Sequence, residues 1–266
     1  MLRRCARTAL LTAALALAAL VGAVPAAAEE VDLALVIAVD ISYSMDPDEQ
    51  DLQRAGFVEA FRSPLVHQAI RNGALGRIAV TYGEWAANWE QKVIVPWTVI
   101  EDPESAMAFA GRLAAQPTRR GPRTSVSGAI DFGVRLHSES GLTPTRRVID
   151  ISGDGANNQG RSVTAARDDA VAQGVTINGL PIMLKRPSSY WDVVDLDVYY
   201  RECVIGGAGA FIVPVRTRDE FVNAIKTKII REVADYAPEP LIRRVQVFEG
   251  GGSCMAGEIQ RERWGN

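Results

Sequence analysis

The nine residues from Val31 to Val39 (VDLALVIAV) hold eight apolar side chains and one acid. No period-2 alternation leaves one face of this run polar. A short segment of this kind reads as a parallel strand covered on both faces, which implies helices packed above and below a sheet. The rest of the chain is consistent with that. Asp46-Pro47-Asp48-Glu49 opens a helix with a cap, a proline at the first helical position and a capping-box acid, and Leu52, Ala55, Val58 and Phe61 follow at helical spacing until Pro64. Arg77 to Trp85 and Lys92 to Ile100 read as strands joined by a short polar link through Asn88, a hairpin in which one strand runs antiparallel. Pro96 puts the second of these at a sheet edge.

Further along, Asp102-Pro103 starts a helix with Met107, Ala110 and Leu113 on one face. Gln116 to Arg123 is a loop, and Ser125 to Leu136 is helical again. Arg147 to Ser152 is a strand that ends in Gly153-Asp154-Gly155. Val163 to Gln173 is a helix stopped by Gly174. Val175 to Met183 is a strand, Leu196 to Cys203 a short helix, and Ala210 to Val215 a last strand. Thr217-x-x-Glu220 reads as the cap of a final helix with Phe221, Ile225, Ile229, Val233 and Tyr236 on one stripe. The alternation predicts a doubly wound, mostly parallel α/β sheet with one antiparallel edge strand and helices on both faces. No repeat of 20–50 residues is present.

Residues 1–28 read as a targeting segment rather than as fold. Arg3, Arg4 and Arg7 precede an apolar run from Ala9 to Val24, and Ala26-x-Ala28 is a small-residue cleavage pattern, so cleavage is expected after Ala28 and the mature protein is expected in the periplasm or outside the cell. An uncleaved membrane anchor is the other reading. Without this segment, Lys and Arg fall to 26 against 32 Asp and Glu, and the formal charge moves from −3 to −6. A negative balance argues against a nucleic-acid binder, which would show a basic patch. After residue 28 no apolar run reaches the roughly 18–20 residues of a membrane span. Residues 29–236 are expected to form one domain, and 237–266 a tail that is partly ordered at best.

In an open α/β sheet, ligands bind at the carboxyl ends of the strands. Three polar features fall there: Asp40-Ile41-Ser42-Tyr43-Ser44 after the first strand, Thr124 at the start of a helix, and Asp154 after the Arg147–Ser152 strand. Asp40 and Asp154 offer carboxylates; Ser42, Ser44 and Thr124 offer hydroxyls. This all-oxygen set suits a hard divalent cation such as Mg²⁺. Taken singly, each has a blander reading: a helix cap for Asp40 and Thr124, and a turn for Gly153-Asp154-Gly155.

Asp40-x-Ser42-x-Ser44, Thr124 followed by Ala129-Ile130, and Asp154-Gly155 together resemble the metal-ion-dependent adhesion site of von Willebrand factor type A (vWA) domains. The resemblance spans roughly Val31 to Tyr236, and all five motif positions are filled in order. It implies a vWA fold, a divalent cation (Mg²⁺, or Mn²⁺ or Ca²⁺) held directly or through water by these five residues, and capture of an Asp or Glu of a protein partner. Val39-Asp40-Ile41-Ser42, Arg146 to Gly155, Asn178-Gly179-Leu180-Pro181-Ile182 and Cys203 to Gly207 also resemble an uncharacterised bacterial group with this fold and with secretion signals.

Enzymatic alternatives find little support. The chain has no phosphate loop, no H-E-x-x-H zinc motif and no G-x-S-x-G elbow. His67 and His137 read as helix-packing or surface residues. Gly206-Gly207-Ala208-Gly209 precedes a strand and reads as a tight turn. A haloacid-dehalogenase-type phosphatase would use Asp40 as nucleophile, but it would need a second acid where Ser42 stands. The expectation is therefore a binding protein without catalysis. The alternatives are a metal-dependent hydrolase on the same residues and an assembly component whose metal only stabilises the fold.

Cys203 and Cys254 are the only cysteines left after residue 28. They either form one bridge in an oxidising compartment or remain a buried thiol and a free one. Tyr43 should point away from the metal motif by alternation. Tyr190, Trp191, Tyr199 and Tyr200 either frame a partner surface or, as preferred for the last two, pack in the core.

Overall fold

The computed structural model describes residues 28–185, 195–234 and 254–264. Most of the expected targeting segment, Tyr190, Trp191, Tyr236 and positions 237–253 of the expected tail lie outside the described residues.

Strands β1 (Glu29–Asp40), β2 (Ile78–Trp85), β3 (Gln91–Ile100), β4 (Leu142–Gly153) and β5 (Val175–Pro181) form one sheet in the order β3-β2-β1-β4-β5. All neighbours are parallel except β2 and β3. The central β1 is buried on both faces, as its apolar run requires. Leu33, Leu35, Ile37 and Val39 face one core, and Val36 and Ala38 the other. The first core is completed by Phe57 and Phe61 of α1 (Pro47–Arg62), Val66 and Ile70 of α2 (Pro64–Arg71), Phe109 and Leu113 of α3 (Pro103–Ala114), and Phe221, Ile225 and Ile229 of α7 (Phe221–Val233). The second takes Val126 and Ile130 of α4 (Val126–Ser138), Val163 and Ala166 of α5 (Val163–Ala172), and Tyr199 and Tyr200 where α6 (Leu196–Tyr199) runs into a π-helical turn, Tyr200–Val204.

The local chemistry behaves as expected at several points. Asp46 caps α1 in a capping box with Glu49, and Asp102 caps α3. The edge strand β3 carries Pro96 where the β2 register shifts by one residue between Val80 and Tyr82, so its missing N–H falls at an irregularity. Gly207 and Gly209 adopt φ of 95° and 70° in a turn, a conformation that L side chains rarely adopt.

Three expectations fail in detail. Residues 210–215 do not form a regular sixth strand. Ile212 and Val215 make single bridges to Gly179 and Ile182; Pro214 between them has no amide to donate, and Asn178 Oδ1 takes the Phe211 amide in place of a ladder carbonyl. Thr217 does not cap α7, because 218–220 form a turn and the helix starts at Phe221. Met107 is exposed; the buried face of α3 is Ala106, Phe109, Ala110 and Leu113.

Cys203 and Cys254 form a disulfide with a Cα–Cα separation of 5.4 Å. Residues Ala256–Trp264 form a helix, α8, within the segment expected to be a tail. His67 Nε2 meets the Phe61 carbonyl, and buried His137 Nε2 meets that of Val148, so both histidines serve packing.

Candidate metal centre

The parallel register brings the candidate ligands to one end of the sheet. Val39 pairs with Ser152 and Asp40 with Trp85, so Asp40 and the Gly153-Asp154 turn leave adjacent strands at the same level. The Gln116–Arg123 loop is tied to the same edge: Gly121 donates its amide to the Ile41 carbonyl at 2.8 Å and bridges to Ser42.

Four of the five residues form a continuous chain. Asp40 Oδ1 accepts the Ser42 amide at 2.7 Å. The Ser42 and Ser44 hydroxyls share a hydrogen bond at 2.8 Å, and Ser44 Oγ donates to Asp154 Oδ1 at 2.6 Å. Thr124 stands beyond Gly155: a Cβ built on that glycine would lie 3.7 Å from Thr124 Oγ1. The capping role that competes for Thr124 belongs to Ser125, whose side chain accepts the Gly128 amide. Asp40 is likewise no cap, since Asp46 caps α1. Arg123 has a φ of 66°, a left-handed conformation that is costly for a non-glycine residue, immediately before Thr124.

The electrostatics are those of a site short of positive charge. Asp40 is fully buried and its Oδ2 has no hydrogen-bond partner. Burial raises its carboxyl well above the ordinary range, and the Asp154 charge adds to the shift. Asp154 is pushed up to about 6, again mainly by burial, against the pull of the Ser44 hydroxyl. Tyr200, whose hydroxyl is also buried without a partner, is raised by burial and by Asp40. A Cβ on Gly153 would come within 2.9 Å of Asp40 Oδ2 and 3.0 Å of the Tyr200 hydroxyl, so only glycine leaves this floor open. An orphaned buried carboxylate oxygen next to another acid, with three hydroxyls, fits a divalent cation by donor chemistry. Among the described residues no group of three or more His, Cys, Asp and Glu comes together to hold a metal.

The supporting residues are not visible in the motif. On one flank, buried Glu84 pairs with Arg54 and Arg119, and Arg54 also donates to the Gln116 and Pro117 carbonyls at 2.6 and 3.2 Å. That network fastens the start of the loop leading to Thr124. On the other flank, Thr124 N donates to Asn158 Oδ1 at 2.9 Å and Asn158 N to the Thr124 carbonyl at 2.8 Å. At the mouth, Lys185 Nζ donates to the Ser44 carbonyl at 2.7 Å and pairs with Glu49. The only hint of these in the sequence is an acid, Glu84, inside a strand and an Asn157-Asn158 pair just past Asp154. Tyr43 is exposed, with the Arg120 guanidinium 5.3 Å from its ring centre. Tyr199 and Tyr200 are core residues.

A family model described as "Protein of unknown function (DUF1194)" matches residues 30–237. No curated protein matches the chain. Among solved structures, proximal thread matrix protein 1 from the mussel byssus superposes with a TM-score of 0.53 at 15% identity over 78% of this chain and 48% of that one. The same mussel protein with a zinc-occupied metal-ion-dependent adhesion motif gives a TM-score of 0.51 at 14% identity, over 78% of this chain and 49% of that one. The pilus adhesin SpaC from Lactobacillus rhamnosus GG gives 0.53 at 13% identity, over 77% of this chain and 30% of that one. A von Willebrand factor type A protein from Catenulispora acidiphila gives 0.51 at 13% identity, over 76% and 43%. The chain thus spans about half or less of the length of these proteins, and at such identities the likeness establishes a shared fold.

Proposed function

The chain belongs to the DUF1194 family of proteins of unknown function and has the vWA fold, and from that premise we propose an exported binding protein in which a divalent cation, held by Asp40, Ser42, Ser44, Thr124 and Asp154, captures an acidic residue of a protein partner. The observation that carries this reading is the buried Asp40 and the half-buried Asp154 joined through Ser42 and Ser44, with one carboxylate oxygen of Asp40 left without a donor. When bound, the cation supplies a Lewis-acidic position that a partner carboxylate can occupy. The chain's own residues do the rest. Asp40 and Asp154 neutralise the ion, the hydroxyls add uncharged oxygens, and Gly153 keeps the floor free of side chain. Export is supported by the basic–apolar–small pattern of residues 1–28 and by the disulfide, which forms and persists in oxidising compartments. Among the described residues no helix is long and apolar enough to cross a membrane.

Calorimetric titration of metal-free protein with Mg²⁺ and Mn²⁺ tests the site, with Asp40→Asn as control. A single site lost in the variant is the expected result; equal heats in both proteins would refute it. Binding of Asp- and Glu-containing peptides should then require the ion and disappear with EDTA. Hydrolysis of phosphate esters that depends on Mg²⁺ and on Asp40 would instead favour the phosphatase alternative.

A further inference from the structure

The segment beyond the family-matched residues reaches back to the candidate centre. Cys254 is bonded to Cys203, which is buried in the π-helical turn beside Tyr199 and Tyr200. Helix α8 begins two residues later, and its buried Glu258 accepts a hydrogen bond from Asn157 Nδ2 at 2.7 Å. Gly257 lies so close to the Asn157 carbonyl that a Cβ there would collide with backbone.

Asn157 is the keystone of the loop between β4 and α5. It is fully buried, and its side chain also donates to the Arg161 carbonyl at 3.1 Å. Its Oδ1 accepts the Ser127 amide at 3.0 Å, at the start of α4. Its own amide donates to the Tyr199 hydroxyl at 3.0 Å, next to the disulfide. The following residue, Asn158, makes the reciprocal pair with Thr124 described above, and Asp154 lies three residues before Asn157. One short loop therefore carries Asp154 and clamps Thr124, and its buried centre is held by a helix from outside the matched domain.

We propose that α8 is a strap, fastened by the Cys203–Cys254 bond and the Glu258–Asn157 contact, that holds the β4–α5 loop so that Asp154 and Thr124 converge on the cation. Its effect on cation affinity rests on the function proposed above; its effect on the loop does not. Loops with few buried contacts open at low free energy cost. The strap supplies this loop with buried contacts that the matched domain lacks, and a two-electron, two-proton reduction of the disulfide by a dithiol would release one of its two fastenings.

The test uses the full chain in four forms: wild type, Cys254→Ser, Glu258→Gln, and Cys254→Ser with Glu258→Ala. Amide hydrogen exchange of metal-free protein reports the loop, and Mn²⁺ titration reports the site. In the double variant, exchange at the Asn158 and Ser127 amides should rise at least tenfold, while that of the β1 amides stays as in wild type. Mn²⁺ affinity should fall about tenfold. Glu258→Gln keeps an acceptor oxygen and should behave as wild type in both readouts. Treatment of wild type with dithiothreitol should reproduce Cys254→Ser. Unchanged protection at Asn158 and Ser127, or released protection with unaltered Mn²⁺ affinity, overturns the proposal. A wild-type protein that binds no Mn²⁺ refutes the cation reading instead, and the exchange result alone then decides whether the strap holds the loop.

Discussion

Ser44 donates its hydroxyl proton to Asp154 Oδ1 at 2.6 Å, across 110 residues of chain. The contact joins the loop after β1 to the loop after β4. It places an uncharged donor where the buried Asp40 and the half-buried Asp154 repel each other. Each acid is destabilised by burial, and a divalent cation is the group that would relieve both.

Mg²⁺ or Mn²⁺ should therefore raise the melting temperature. At a ligand concentration of 100 times Kd the gain is about 2.7 kcal/mol, or roughly 5–10 °C for a domain of this size. Asp40→Asn should raise the melting point of metal-free protein, because a buried charge is removed, and should abolish the gain from metal. Differential scanning calorimetry with and without EDTA measures both; an equal metal-induced shift in the variant contradicts the assignment.

Gly153→Ala puts a methyl group within 3.1 Å of Asp40 Cβ and closer still to Asp40 Oδ2 and the Tyr200 hydroxyl. Overpacking of this kind costs about 1–3 kcal/mol. Urea denaturation should show that loss, and Tyr200→Phe in the same chain should recover part of it by removing one of the crowded oxygens. Full stability in Gly153→Ala would mean that the floor of the site yields easily.

Lys228, fully buried on α7, pairs with Asp150 at 2.8 Å and Glu232 at 2.7 Å, and Asn178 donates to Glu232 at 2.7 Å. Lys228→Met leaves two buried acids without their cation and should cost about 3–5 kcal/mol in chemical denaturation. Asp150→Asn added to it should restore a substantial part. A cost below about 1 kcal/mol for the single change would show that the triad is not a unit.

Burial holds His137 at about 4, below the ordinary histidine value of 6.5, with its Nε2 against the Val148 carbonyl. A histidine lowered in the fold contributes stability that is complete above the unfolded value and is lost as pH falls from about 6.5 through 4. Converted at 1.36 kcal/mol per unit, the contribution is roughly 3 kcal/mol. Stability measured from pH 7 to 4 for wild type and for His137→Gln should converge as pH falls, since only the wild type loses this contribution. Parallel curves would assign no such role to His137. Asp150 and Asp154, both raised to about 6, give the opposite slope in both proteins and cancel in the difference.

Where sequence and structure agree, the physics is local or periodic. A strand buried on both faces has no polar face to alternate, and Val31–Val39 shows it. Caps are short-range hydrogen bonds, so Asp46 with Glu49, and Asp102, could be read from spacing alone. Pro96 marks an edge because it lacks a donor. Where the two disagree, the path the chain takes or a neighbour distant in sequence overrides local spacing. Thr217 lies in capping spacing, yet the chain turns through 218–220 first; Ala210–Val215 has strand composition, but Pro214 and the Asn178 side chain break the ladder.

The candidate centre divides in the same way. The end of the sheet at which its five candidate residues stand was legible in the sequence by itself, because strand polarity and the order of elements follow from hydrophobic pattern; the residues themselves were named from their oxygen chemistry and the motif they resemble. The tertiary structure alone decided how they are held: Glu84 with Arg54 and Arg119 on one side, Asn157 and Asn158 on the other, Tyr200 beneath, and α8 fastened across the loop by Cys254. Those contacts join residues separated by tens of positions, and nothing in local propensity specifies them. They arise only when the packing of both cores sets which buried polar groups must find each other.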